Sequence, residues 1–299
     1  MSSDPDDTFK FYHYDPSLAA ACVFAVLFGS STIWHAFLIA KYRTWYFIPC
    51  LTGGIFETVG YAARAISHGQ APDPTLGPYV IQTLLLLVAP ALFAASIYMI
   101  LGRIIVSVDG ESYSLIKKKW LTKSFVAGDV LSFFIQLGGM LEWFHGHAGG
   151  GLRASSKPST AKTGSHIVLT GLVIQIVLFG LFIAVAVVFN LRLRARPINT
   201  PRACSLPWEK YLRILYIASA FVMLRSIVRV AEFIEGFEGT IIRHELYLYI
   251  FDAVPMAAVM VVFNVWYPSC FSKRARKAIM VEQSADSSLE LSDIEGQGK

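Results

Sequence analysis

Charge is what this sequence has least of. Asp, Glu, Lys and Arg make up 16% of its 299 residues, against roughly 25% in an average globular protein. With 55% of residues hydrophobic, soluble, disordered and collagenous classes are all excluded. Cysteine is also scarce. Cys22 and Cys50 fall in apolar runs and Cys204 and Cys270 beside basic segments, so no disulfide scaffold is expected. A Walker A sequence, a GxSxG nucleophile elbow and a zincin helix are missing. ATP-driven pumping by this chain and the enzyme chemistries those motifs carry are therefore not expected. Stretches of strictly alternating polarity are lacking too, which removes a membrane β-barrel.

Long apolar runs are what remains. A hydrocarbon core about 30 Å thick is crossed by about 20 apolar residues in a helix, and helices satisfy their own backbone there. Seven segments qualify: 18–40, 45–67, 78–101, 122–143, 165–190, 213–236 and 244–268. The expected fold is all-α, a polytopic bundle of seven transmembrane helices over 18–268. Before it lies a polar, acidic segment, 1–17, with no signal-peptide pattern. After it, residues 269–299 run from basic to acidic and Ser-rich, a composition that predicts disorder. Between spans four and five, 144–164 carries a glycine run and reads as a flexible loop.

Lys and Arg are distributed unevenly. An outside N-terminus puts eighteen of them on the cytosolic face and five on the outer face, and that asymmetry sets the orientation, with a cytosolic C-terminus. The net charge of +5 is thus a topology signal and an attraction to anionic headgroups. It implies no nucleic-acid partner.

Ionisable residues inside the spans carry the functional signal. Each costs about 2.5–3.5 kcal/mol at a helix centre on insertion scales, so each must face the bundle interior and find a partner. Glu57 and Arg64 are seven residues apart, two helical turns, with Tyr61 between them. The same interval joins Asp129 to Gln136, Arg225 to Glu232 across Arg229, and Glu245 to Asp252. Four helices each present a polar stripe, and the economical arrangement turns all four inward. These ten residues are expected to line a substrate-binding or translocation cavity in the outer half, with Asp129 nearer the cytosol. The competing reading is a salt-bridge network that only fixes helix register.

Several other residues have plainer readings. His35, alone on an apolar helix, is expected to be a hydrogen-bonded packing residue. Gln136 and Gln175 are expected to bond across helices, and Gly53, Gly54, Gly138 and Gly139 to allow close helix approach. Glu142, His145 and His147 have a metal-like spacing but no fourth ligand, so neither metal nor cofactor is expected.

The chain resembles the fungal RTA-like family, the lipid-translocating exporters. The resemblance is carried by Glu57-x-x-Gly60-Tyr61-x-x-Arg64, by Ala89-Pro90 with Ala94-Ala95-x-x-Tyr98-x-x-Leu101-Gly102-Arg103, and by Asp129, Ser132 and Gln136 followed by glycines. It continues through Gly171-Leu172-x-x-Gln175, Arg225-Ser226-x-x-Arg229-x-x-Glu232, His244-Glu245 and Tyr249-x-Phe251-Asp252. Where family members carry a third consecutive glycine this chain has Met140. The resemblance implies a fungal multi-pass protein that translocates or exports lipids such as sphingoid bases and gives tolerance to toxic amphiphiles, with the plasma membrane as the leading location and vacuolar or other internal membranes as the alternative. Its partners would be membrane lipids and amphiphilic small molecules. A seven-helix receptor, or an indirect regulator of lipid asymmetry, fits the same span count.

Overall fold

The first helix begins where the sequence supplies a cap. Ser17 Oγ accepts the Ala20 N–H at 3.4 Å and starts α1 (Leu18–Tyr42). Arg43 ends it in the left-handed region at φ 52°, and the Thr44 N–H returns to the Ile39 carbonyl. A short 3₁₀ turn, Trp45–Phe47, leads into α2 (Ile48–Gly69), with a proline in its first turn. Then follow α3 (Leu76–Ser107), α4 (Lys118–Ala148), α5 (Pro158–Ala195), α6 (Trp208–Glu235) and α7 (Glu245–Val265). In this computed structural model the described residues are 17–70, 76–108, 110–115, 118–148, 158–195, 208–235 and 245–269. Among them there is no strand.

The protein is an all-helical multi-pass membrane bundle. Six of its seven helices are long and apolar enough to cross a membrane. The exception is α2, and the reason is composition: it carries more polar residues than its neighbours. Glu57, Tyr61, Arg64 and Ser67 lower its mean hydropathy, yet all four are buried and Ile48, Ile55, Val59 and Ile66 face outward. Polarity runs opposite to that of a soluble protein. Val26 is 71% exposed and Ile33 74%, which suits a surface bathed in acyl chains. The loop expected over 144–164 is shorter than that, because α4 runs to Ala148 and α5 starts at Pro158.

Sequential helices touch, α7 closes back on α1, and α3 also meets α6. Small residues make the close approaches. A Cβ on Gly53 would meet the Phe93 ring at 3.1 Å and one on Gly60 would meet Leu86 at 2.8 Å, so α2 lies tight on α3. Between α4 and α5 the backbones themselves meet: a Cβ on Gly139 would lie 2.7 Å from the Gly164 carbonyl and from the Val168 nitrogen. Met140, beside it, is buried among Leu87, Val168 and Leu172. The residue in the third glycine place therefore packs between α3 and α5.

A Cβ on Gly138, by contrast, would meet nothing within 4 Å. Gly138→Ala should thus be neutral or raise stability by up to about 1 kcal/mol through helix propensity. Gly139→Ala should cost about 1–3 kcal/mol by forcing α4 from α5. Thermal unfolding of the two variants in detergent separates these outcomes.

Candidate functional site

Three of the four polar stripes converge where α2, α6 and α7 meet, under the start of α1. The first knot is built on Arg64. Its Nη2 pairs with Glu245 Oε1 at 2.8 Å, and its Nε donates to the Tyr249 hydroxyl at 3.1 Å. That hydroxyl donates in turn to Glu245 Oε1 at 3.0 Å. The Glu245 carboxylate also takes the Ser17 N–H at 2.9 Å. One carboxylate thus pins the first turns of α1 and α7 to the last turns of α2.

The second knot is built on Asp252. One oxygen pairs with Arg225 and the other accepts from Arg229 Nη2 at 2.6 Å. Arg229 Nη1 reaches Glu232 Oε2 at 3.0 Å, a pair three residues apart on α6. Arg225 has a further acceptor, the Leu86 carbonyl of α3. Leu86 stands four residues before Pro90, which has no N–H to return to it. A carbonyl orphaned in the apolar interior is costly, and the guanidinium satisfies it. Asp252 is aimed by a second irregularity. Residues Tyr249–Ala253 form a π turn in which the Val254 N–H reaches back to the Tyr249 carbonyl, one residue ahead of Pro255.

Glu57 and Tyr61 lie between the knots. Tyr61 stacks on Phe28 at 5.6 Å and 3°, beside Phe24 and Tyr249. Its hydroxyl is within electrostatic reach of Asp252, Glu57, Arg64 and Arg225. Glu57 is 1% exposed and within electrostatic reach of Asp252, Arg225 and Arg229. Yet its Oε1, like the Tyr61 hydroxyl, has no hydrogen-bond partner. The cluster therefore holds four carboxyls, at Glu57, Glu232, Glu245 and Asp252, against three guanidiniums. Glu57 is the carboxyl outside the ion pairs found among the described residues.

The sequence stripes thus gather eight of the ten expected residues and hold two apart. Asp129 and Gln136 of α4 face α3 and α5 instead. Asp129 accepts from the Tyr98 hydroxyl at 2.8 Å, in an aromatic cage where Tyr98 meets Phe182 at 4.4 Å. Gln136 Nε2 donates to Gln175 Oε1 at 3.1 Å, the expected cross-helix bond. The reason is packing: the Gly139 and Gly171 contacts draw α4 onto α5 and turn its stripe there. Nor is the centre of the cluster an open cavity. Glu57, Arg64, Arg225 and Asp252 are each at most 5% exposed, while the side chains of Arg229, Glu232 and Glu245 are 15–20% exposed. The rim keeps some exposure and the heart is packed. His35 is buried and bonded to Asn264, as a packing histidine would be. Among the described residues no group of His, Cys, Asp and Glu fits a metal ion; the side chains of His145 and His147 lie outside them.

Sequence reasoning missed the parts played by Tyr249, Ser17 and the Leu86 carbonyl. The prolines at 90 and 255 were the available signals for the last of these and for the π turn.

A family model described as RTA1 like protein matches residues 50–275. The chain is 40% identical to Protoporphyrin uptake protein 1 of Saccharomyces cerevisiae, over 88% of this chain and 93% of that one. It is 37% identical to Protein RTA1 of the same yeast, over 93% and 92%. It is 25% identical to the Sphingoid long-chain base transporter RSB1, also of Saccharomyces cerevisiae, over 85% and 72%. No solved structure matches it.

Removing Asp252 tests the network. Asp252→Asn leaves Arg225 and Arg229 short of charge compensation in the interior, and should cost about 3–5 kcal/mol. Asp129→Asn keeps its single hydroxyl partner and should cost about 1 kcal/mol or less. The folded fraction recovered in detergent, or the unfolding midpoint, reads the difference.

Proposed function

This chain belongs to the RTA1-like family, and on that premise we propose that it moves charged amphiphiles across a membrane without converting them chemically. The names of two relatives specify a protoporphyrin and a sphingoid base. Such molecules share an ionisable head on a large apolar body. The proposed orientation puts the N-terminus outside, in the plasma membrane, so that the Glu245 rim faces outward and the basic rim meets anionic headgroups. Movement of the amphiphile outward underlies tolerance to toxic compounds in this reading.

The observation that carries the proposal is the odd carboxyl. With every acid ionised, the cluster has one negative charge more than its arginines match. A protonated amine brings the missing charge. Glu232 and Asp252 are already engaged by arginine, which leaves Glu57 to receive it, and the apolar tail stays between helices in lipid. Without a nucleotide site in the sequence, the drive is a gradient.

Glu57→Gln tests this directly, because Gln has the same shape and breaks no ion pair. A hydrogen bond to a charged group contributes about 1.5–3 kcal/mol, so movement of a fluorescent long-chain amine in liposomes should slow about tenfold to a hundredfold. A probe with an uncharged head should be unaffected. Wild-type protein that moves the amine no faster than empty vesicles do would remove the proposal.

A further inference from the structure

A second polar path leaves the cluster in the direction away from Glu245. It runs along the seam of α1, α2 and α7, and it is built from atoms that the packing leaves unsatisfied. Several helical hydroxyls in this protein return to the carbonyl four residues back: Thr52 to Ile48, Thr58 to Gly54, Ser67 to Ala63, Thr83 to Tyr79. That is the ordinary resort of Ser and Thr in an apolar helix. Thr32 does not take it. Its side chain is buried and Oγ1 has no partner. It lies directly against Gly54, where a Cβ would collide with it. Gly54 is three residues from Glu57, about 4.5 Å along the helix axis.

One turn further along α1 stands His35, fully buried. Its tautomer follows from its neighbour. Asn264 Nδ2 donates to the Ser31 carbonyl at 3.1 Å and to the Ser31 hydroxyl at 2.7 Å, so the amide oxygen is the atom left to face His35 Nδ1 at 2.7 Å. Nδ1 therefore carries the hydrogen, and Nε2 presents a bare lone pair. That lone pair has no donor. Leaving such an acceptor unmet in an apolar interior is costly. The His35 ring packs edge-on to Tyr267 at 5.6 Å, and the Tyr267 hydroxyl bonds Thr44 at the far end of the seam. From one end to the other the row reads Tyr61, Glu57, Thr32, His35, then Tyr267 with Thr44.

We propose that this row delivers protons to Glu57 from the Tyr267 end of the bundle, and that the chain exchanges a proton for its cationic amphiphile there. The inference rests on the reading of Glu57 as the amine's acceptor, and it names the coupling ion. The cluster lacks one positive charge, and a proton or an amine supplies it, but not both. In the transfer a hydronium entering from the Tyr267 end gives its proton to His35 Nε2 and is left as water, while Nδ1 keeps its own proton. The imidazolium then returns the Nε2 proton to the Thr32 hydroxyl or a water beside it, and that group passes a proton on to Glu57 Oε1. Imidazole and hydroxyl are restored, and one proton has moved. Met260 packs against Gly54 beside Thr32, its methyl 2.8 Å from where a Cβ on Gly54 would lie. Its unbranched side chain can swing to admit water. The charged and titratable groups around the row are Asp252, Arg225 and Arg229 at Glu57, Arg64 and Tyr249 at Tyr61, and Tyr267 at His35 with Cys50 and Tyr42 behind it.

The test uses the full chain in liposomes that enclose a pH-sensitive dye, with the membrane potential clamped by potassium and valinomycin. Adding a fluorescent long-chain amino diol should drive a counterflow of protons above that of empty vesicles. Thr32→Val keeps the shape, removes an unsatisfied hydroxyl and so folds. It should slow proton flux about a hundredfold, the lower range for loss of a positioned proton-transfer group. His35→Gln should do the same and is read as a second variant. Probe movement without proton flux in the wild type overturns the inference and leaves the lipid reading standing. So does a Thr32→Val flux equal to that of the wild type. Proton flux that Thr32→Val abolishes, with no probe movement, keeps the row and removes the amphiphile. Silence of both signals removes both.

Discussion

The bundle depends on one constraint: three guanidiniums lie among apolar helices, and each must be neutralised and hydrogen-bonded by groups from other helices. Desolvating an ion costs several kcal/mol even after relaxation. The helices are therefore locked in the register that brings Arg64 to Glu245 and both α6 arginines to Asp252. A slide of α7 by one turn would strand charges in the interior. Apolar packing around the knots is permissive by comparison, because lipid tails are as apolar as leucine and give helices little reason to choose one another.

The backbone takes part in this accounting. Pro90 frees the Leu86 carbonyl, and Arg225 takes it. The π turn over Tyr249–Ala253 turns Asp252 toward α6 while leaving Glu245 and Tyr249 on α2. In a regular helix Glu245 and Asp252, two turns apart, would share one face. The extra residue in the turn lets α7 serve two separate knots. Irregular backbone in a membrane protein survives where other groups of the protein meet its needs, and both prolines of this site are such places.

Most of the fold was legible in the sequence because hydrophobic run length and charge cost are local properties. So was the pairing of α2, α6 and α7, since a seven-residue interval between opposite charges has few other uses in an apolar helix. The α4 stripe was misjudged for a reason that local reading cannot reach. Asp129 and Gln136 have the same spacing as the other stripes, but the direction they face is set by the small residues of α4 and α5. Gly139 and Gly171 bring those two backbones together, and the stripe goes with them. The open cavity was likewise an over-reading. Charges that neutralise one another need no water, and only the rim side chains keep some exposure. Tyr249 and Ser17 escaped notice because neither is ionic.

A network that served register alone would close its own charge balance. This one does not. Glu57 could be glutamine without breaking any ion pair present, and Thr32 could be valine without losing any hydrogen bond it makes. Buried groups with unmet polarity weaken a bundle, and four of them, at Tyr61, Glu57, Thr32 and His35, fall on one seam. In the proposed row a proton would be held on His35 Nε2 and then on Glu57, with the Thr32 hydroxyl as the relay, and an ammonium head would take its place at Glu57. The stability forgone along that seam is the physical argument for the proposed proton row.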